Sequence, residues 1–369
     1  MKKRYMVLSI ILIFVVGVWS FVWFSPQLGA SKKEKQTIKV FTSQNYQDGS
    51  FQNTQETRQM TEFNWSSFID FFRKGDKVPQ DIIPVEKLPN QYFKKPHEGA
   101  SRVIWFGHSA VLLEIEGKKI FFDPMLGERP SPHPLLGFER FNTELPVELN
   151  AITHLDAIVL SHDHYDHLDY RTIKHLHERT ELFFVPPGVD AHLISWGVKK
   201  EKIRVLDWWE SENHLGLNFI ATPARHFSGR GLNDRNTTQW CSWIVESDRK
   251  KIFFSGDTGY SNHFKKIGEK YGPFDLCLIE CGQYNTQWAH IHMMPEETVQ
   301  ANKDLKGKRF IPIHWGSFKL ALHHWKDPIR RSISAAEKMD QEIITPKIGE
   351  VVSLNSQFYH NNYWWKSLK

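Results

Sequence analysis

Cysteine is scarce: Cys241, Cys277 and Cys281 are the only three, and none stands in C-x-x-C spacing. An odd count gives no disulfide framework, so all three are expected to be free and buried. The chain has no internal repeat and no low-complexity tract. No G-x-S-x-G element supplies a serine nucleophile, and no Walker-type loop is present to cradle phosphates. The net charge of +5 is spread along the chain rather than gathered into a basic stripe. A dedicated nucleic-acid surface is therefore not expected, while the mild positive balance is compatible with anionic membrane surfaces.

What remains is the composition of a folded globular protein, with 40% hydrophobic and 24% charged residues. A length of 369 residues holds one large domain with extensions, or two ordinary domains. The chain opens on Met1-Lys2-Lys3-Arg4, followed by an uncharged, largely apolar run over 5–24 with Trp19 and Trp23 near its far end. As a helix such a run measures about 30 Å, the thickness of a bilayer's hydrocarbon core. A cleaved signal peptide would have a shorter apolar region and a small-x-small site. Residues 28–31 offer little of that, so an uncleaved transmembrane anchor is expected. The basic start then places the chain as a single-pass protein of the cell membrane, its catalytic domain outside the cytoplasm. The expected division is an anchor at 1–24, a linker and extension at 25–100, and a hydrolase domain at 101–369.

Residues 27–80 are polar, with no sustained period, turn chemistry at 46–51 and a short helix at 64–72. Strand-like runs follow at 103–106, 110–115 and 119–122, then a proline-dense loop at 130–134 and a buried strand at 156–160. Further strands are read at 182–185, 203–206, 217–221, 240–246, 251–255, 274–279 and 309–313. Helices are read at 168–176, 189–196, 260–270, 295–305 and 328–339, and an aromatic tail from 357 closes the fold. Strands in two groups with helices interleaved imply an α/β sandwich of helices on sheets.

The chemistry-bearing stretch is Ser161-His162-Asp163-His164-Tyr165-Asp166-His167, placed where a buried strand turns into a helix. Imidazole and carboxylate suit zinc and similar divalent ions. His162 and His164, two apart on extended backbone, point to one side and suit one ion. Asp166 and His167 lie past the bend, within reach of a second. Three more candidates, His226, Asp257 and His314, each follow an apolar run directly.

The H-x-H-x-D-H signature resembles the metallo-β-lactamase superfamily, and the order loop, His, Asp, His matches its pattern. The resemblance implies a metallo-β-lactamase-type αββα sandwich and two metal ions, Zn²⁺ or another divalent metal. It gives one ion to His162, His164 and His226, the other to Asp166, His167 and His314, and Asp257 to both. Diiron members of the superfamily carry glutamate at the second signature position; His164 there favours zinc hydrolysis over redox chemistry. Two close ions also acidify water toward neutral pH and stabilise an anionic phosphodiester's transition state.

A narrower likeness rests on 105–112 (Trp-Phe-Gly-His-Ser-Ala-Val-Leu), Asp207-Trp208-Trp209-Glu210, 222–226 (Thr-Pro-Ala-Arg-His), 254–260 (Phe-Ser-Gly-Asp-Thr-Gly-Tyr) and 313–318 (Ile-His-Trp-Gly-Ser-Phe). These resemble the N-acylphosphatidylethanolamine-hydrolysing phospholipase D family, in its bacterial members. That resemblance implies a phospholipid substrate, cleaved to N-acylethanolamine and phosphatidic acid. Asp166, Asp257 and His292 become the expected catalytic residues, His292 by contact with substrate near the phosphate. Asp123 is expected to orient a ligand imidazole, and His108 to do similar structural work. Glu280-Cys281-Gly282-Gln283-Tyr284 departs from the animal enzyme, which is more apolar at the first positions. The competing readings are a hydrolase of a small soluble ester or sugar-phosphate lactone, and a non-catalytic scaffold.

Overall fold

The computed structural model describes residues 2–60, 65–73, 75–89, 91–94, 99, 101–356 and 358–369. The chain begins with the helices α1 (Lys2–Phe24), α2 (Lys32–Lys35) and α3 (Ile38–Thr42). A two-stranded hairpin, β1 (Tyr46–Gln47) and β2 (Ser50–Phe51), and the helix α4 (Trp65–Phe72) follow. The expected short helix is thus present, its residue 64 lying outside the described set. Val40, Phe51 and Ile83 from this region sit in the main core at 1% exposure or less, so the extension is packed rather than trailing.

The expected transmembrane anchor is overturned. Among the described residues no helix is long and apolar enough to cross a membrane. The single-pass placement in the membrane, with the extracytoplasmic domain that depended on it, falls with it.

Strands β3 (Arg102–Trp105), β4 (Val111–Ile115), β5 (Lys118–Phe122), β6 (Leu155–Val159), β7 (Thr180–Val185) and β8 (Ile203–Val205) come first. Next are β9 (Ser211–His214), β10 (Leu217–Thr222), β11 (Ser242–Glu246), β12 (Lys251–Phe254), β13 (Leu276–Glu280), β14 (Arg309–Ile313) and β15 (Glu342–Ile343). The last strand is β16 (Val351–Ser353). They form two seven-stranded sheets, β16-β3-β4-β5-β6-β7-β8 and β15-β14-β13-β12-β11-β10-β9. Each sheet has an antiparallel part, β3 to β5 or β9 to β12, that continues into parallel strands. Helices α5 (Tyr170–Leu176), α6 (Val189–Ser195), α7 (His263–Tyr271), α8 (Pro295–Asp304) and α9 (Asp327–Met339) complete the mixed α/β fold.

The strands read as continuous apolar runs because both of their faces are buried. In the first sheet Trp105, Phe122, Val159 and Phe184 face the second sheet, where Phe122 stacks on Phe254 at 4.7 Å and Phe184 on Phe219 at 3.9 Å. The alternate residues Ile104, Phe121, Ile158 and Phe183 turn outward onto Ile173 and Leu176 of α5 and Val189 and Leu193 of α6. Trp364 and Trp365 of the tail are buried, and Trp364 stacks on Trp315 at 5.7 Å. The pairing makes β3, β5 and β6 run one way in the first sheet and β10, β12, β13 and β14 one way in the second. The C-terminal ends of these strands meet at one rim, where ligand sites of α/β sheets form.

Candidate metal centre

Every sequence-derived candidate stands at that rim. Beyond β6 the chain leaves the sheet at Ser161, whose backbone N–H donates to Asp123 Oδ1 at 2.7 Å. It then turns back at His164, whose carbonyl accepts the N–H groups of His167 and Leu168 at 3.1 and 2.8 Å. Asp169 ends the loop by capping α5, accepting from the Thr172 N–H at 3.0 Å. His226 follows β10, Asp257 follows β12, and His314 follows β14 directly. His108, Asp123 and His314 hold φ of +52°, +37° and +66°, a backbone conformation uncommon for residues with a side chain. Such strain gathers at functional sites, where surrounding structure holds it.

The side chains fall into two groups. Ligand atoms of His162, His164, His226 and Asp257 all lie within 4.8 Å of one another, as do those of His108, Asp166, His167 and His314. Asp257 Oδ2 sits between them, 3.8 Å from both His162 Nε2 and His226 Nε2, 3.0 Å from His167 Nε2 and 3.2 Å from His314 Nε2. All seven expected ligands are therefore together, and His108 joins the second group, donating from Nε2 to Asp166 Oδ2 at 2.8 Å.

Tautomers are set from behind. Asp123 Oδ2 accepts His167 Nδ1–H at 2.7 Å and the Ser161 hydroxyl at 2.5 Å, and Ser161 Oγ lies 2.9 Å from His162 Nδ1. One carboxylate thus orients two imidazoles, which bears out the geometry expected of Asp123. His226 Nδ1–H donates to the Ile291 carbonyl at 2.9 Å, while Asn53, from the extension, brackets the His226 backbone at 3.1 and 2.8 Å. In each case the other ring nitrogen is left for the centre.

The donor set fits a divalent cation. Burial first, then neighbouring imidazoles, push His162 well below the ordinary histidine value, and burial lowers His164 and His226 as well. Neutral imidazoles then crowd one another, His164 Nδ1 lying 2.9 Å from His162 Nε2 and 3.2 Å from His226 Nε2. Ring nitrogens converging at that separation suit a shared cation. His167 Nε2 and Asp257 Oδ1 are buried without a hydrogen-bond partner, which a metal bond would satisfy. For His167, burial opposes the charged form, but the carboxylates of Asp257, Asp166 and Asp123 outweigh it and hold the group well above its usual value. The same contest takes His314 up to about 10.

Glu280 is a functional residue that the sequence reading passed over as a mere departure. It is fully buried at the end of β13 and accepts from His292 Nδ1–H at 2.8 Å, with His314 Nδ1 at 3.2 Å. Its signal was available: like Asp257, it is an acidic residue ending an apolar strand. Above the centre lies a cavity of about 790 Å³. His164, Asp166, Asp257, His292 and His314 supply its polar floor, and Met60, Phe227, Trp288, Ile291 and Leu320 its apolar walls, with Arg235 among the lining. Met60 comes from a stretch with no period to announce it.

Residues 118–315 match the family described as the beta-lactamase superfamily domain. The chain belongs to the beta-lactamase superfamily. It is similar to an uncharacterized protein of Mycobacterium bovis, 41% identical over 332 residues that cover 87% of each chain. It is also similar to N-acyl-phosphatidylethanolamine-hydrolyzing phospholipase D 1 of Caenorhabditis elegans, 32% identical over 293 residues, 74% of this chain and 81% of the worm protein. Its fold is shared with a metallo hydrolase of the archaeon Ignicoccus hospitalis, at a TM-score of 0.55 and 22% identity over 70% of this chain and all of the archaeal one. Superfamily membership, fold and donor geometry agree on a metal-dependent hydrolase.

Proposed function

We propose that this chain is a dizinc phosphodiesterase that hydrolyses N-acylphosphatidylethanolamine to N-acylethanolamine and phosphatidic acid. The observation that carries the reading is the position of Asp257 Oδ2 between two groups of donors, beneath a cavity with a polar floor and apolar walls. His162, His164 and His226 would hold one ion, Asp166, His167 and His314 the other, with Asp257 available to both. A His and carboxylate donor set without cysteine suits zinc. Zinc held there would supply the Lewis acidity that polarises a phosphoryl group and lowers the pKa of water toward neutrality.

The protein's own groups do the rest. Asp123, the Ile291 carbonyl and Glu280 fix the ring orientations, so the ligand set is preorganised. His292, held through Nδ1 by Glu280, leaves Nε2 for the phosphodiester or the departing ethanolamine oxygen. Met60, Phe227, Trp288, Ile291 and Leu320 take acyl chains and exclude water. Arg235, at the same cavity, offers a cation to an anionic diester. The similarity to the worm phospholipase supports the lipid reading, and the apolar walls favour it over a small soluble ester or sugar-phosphate lactone.

The test is mass spectrometry of products from the purified zinc-loaded chain given N-acylphosphatidylethanolamine vesicles and, separately, a panel of lactones. The reading predicts N-acylethanolamine and phosphatidic acid in equal amounts. Turnover of the lactones alone would reject it.

A further inference from the structure

The segment 26–35 is fastened to the reverse of the metal loop, and none of its residues lines the cavity. The Pro26 carbonyl accepts Trp196 Nε1–H at 2.7 Å. The Gln27 carbonyl accepts two N–H groups of Arg230, at 3.1 and 2.8 Å, and the same guanidinium donates to the Asp163 and Leu168 carbonyls at 2.6 and 2.7 Å. Arg230 thus ties the strap to both ends of the loop. Lys35, fully buried, pairs with Asp234 at 2.5 Å, and Asp234 Oδ1 accepts the Gly231 N–H at 2.8 Å.

The most direct link runs through a histidine outside the metal centre. Ala30 N–H donates to His192 Nδ1 at 3.0 Å. That bond places the proton of this buried imidazole on Nε2, which donates to Asp163 Oδ2 at 3.3 Å. Asp163 is itself fully buried and also accepts from the Gly229 N–H and the Thr238 hydroxyl, each at 2.8 Å. Asp163 is the residue between His162 and His164, so its anchoring fixes the peptide from which both imidazoles project. The approach is tight: at Gly29, with φ +71°, a Cβ would lie 2.0 Å from His192 Nδ1.

We propose that Gly29, Ala30 and His192 are positioning residues for the half-centre of His162, His164 and His226, the strap acting on it through His192 and Asp163. A shift of Asp163 would turn His162 and His164 away from a common point, whereas Asp166, His167 and His314 are held by Asp123, His108 and Glu280 instead. Loss of such outer partners typically weakens metal affinity by about 10- to 100-fold. The inference rests on the two-ion reading above.

Zinc titration of the full chain against a chromophoric chelator yields two stepwise dissociation constants and tests it. His192→Phe keeps ring volume and removes both hydrogen bonds, Gly29→Ala pushes the imidazole off the strap, and His192→Gln retains a donor and an acceptor. The expected result is one constant weakened by about 10- to 100-fold in His192→Phe and in Gly29→Ala, the other little changed, and His192→Gln recovering most of the loss. Wild-type values for both constants in folded variants would overturn the proposal, as would equal weakening of both. If His192→Phe does not fold, Gly29→Ala and His192→Gln decide by the same titration. A wild-type chain that holds fewer than two ions would instead overturn the two-ion reading itself.

Discussion

Asp257 has one oxygen near four imidazoles and the other with no hydrogen-bond partner. A carboxylate so placed suits the proposed role of shared ligand, and its amide would lose both the charge and one donor oxygen. Asp257→Asn is therefore expected to cut turnover by about 10³-fold or more while the fold survives, checked by kcat alongside circular dichroism; retained turnover with both ions bound would contradict the shared role. His292 lies outside the expected ligand set, with Glu280 behind it. His292→Ala should lower kcat by about 10²-fold and leave metal content unchanged, as read by elemental analysis.

The histidines also fix a pH signature for the metal-free protein. His314 is held at about 10 and His167 well above its usual value. Their stabilising effect is full below the unfolded value of about 6.5 and fades as pH rises toward 10. His108, lowered to about 3 by burial, and His162, His164 and His226, also lowered, act in the opposite sense. The unfolded chain takes up their protons first, so their effect is lost as pH falls below about 6.5. Thermal melts of chelated protein should show greatest stability near neutrality, and the rise in Tm on adding zinc should grow from pH 6 to pH 9 as zinc replaces the protons of His167 and His314. A zinc-induced rise that shrinks over that interval would count against these protons and zinc sharing one site.

At the scale of elements, the extension packs against the centre, where Asn53 brackets the His226 backbone and Met60 lines the cavity. Lys35, which lies in the expected linker and extension, is buried against Asp234. Removing one partner of a buried pair typically costs about 3–5 kcal/mol, so Lys35→Met should lower unfolding free energy by that order in urea titrations. Lys35→Met with Asp234→Asn should recover part of it. Nothing in the sequence announced this, because a lysine run reads as solvated unless its partner, 199 residues away, is known. The same blindness hid β9, whose Ser-Glu-Asn-His alternates between exposed and half-buried positions, and the short edge strands β15 and β16. Strands buried on both faces, such as β6 and β13, were legible because their apolar runs are continuous.

For the whole molecule, two sheets bring strand ends from distant parts of the chain to one rim, and this is why residues spread from 162 to 314 form one centre. The candidate ligands were legible because they follow apolar strands, where a buried polar residue needs a reason. Glu280 obeyed the same rule and was missed. The cavity walls were not legible, since Met60, Trp288 and Leu320 come from irregular segments that only folding brings together. The N-terminal run was misjudged because hydropathy along a sequence does not establish a span.

Metal stoichiometry tests the central claim most directly. The zinc-reconstituted chain, freed of loosely held metal by gel filtration, is analysed by inductively coupled plasma mass spectrometry beside Asp257→Asn. The two-ion account predicts two zinc ions per wild-type chain and fewer in the variant. One ion or none in the wild-type chain, or two in both proteins, would contradict it.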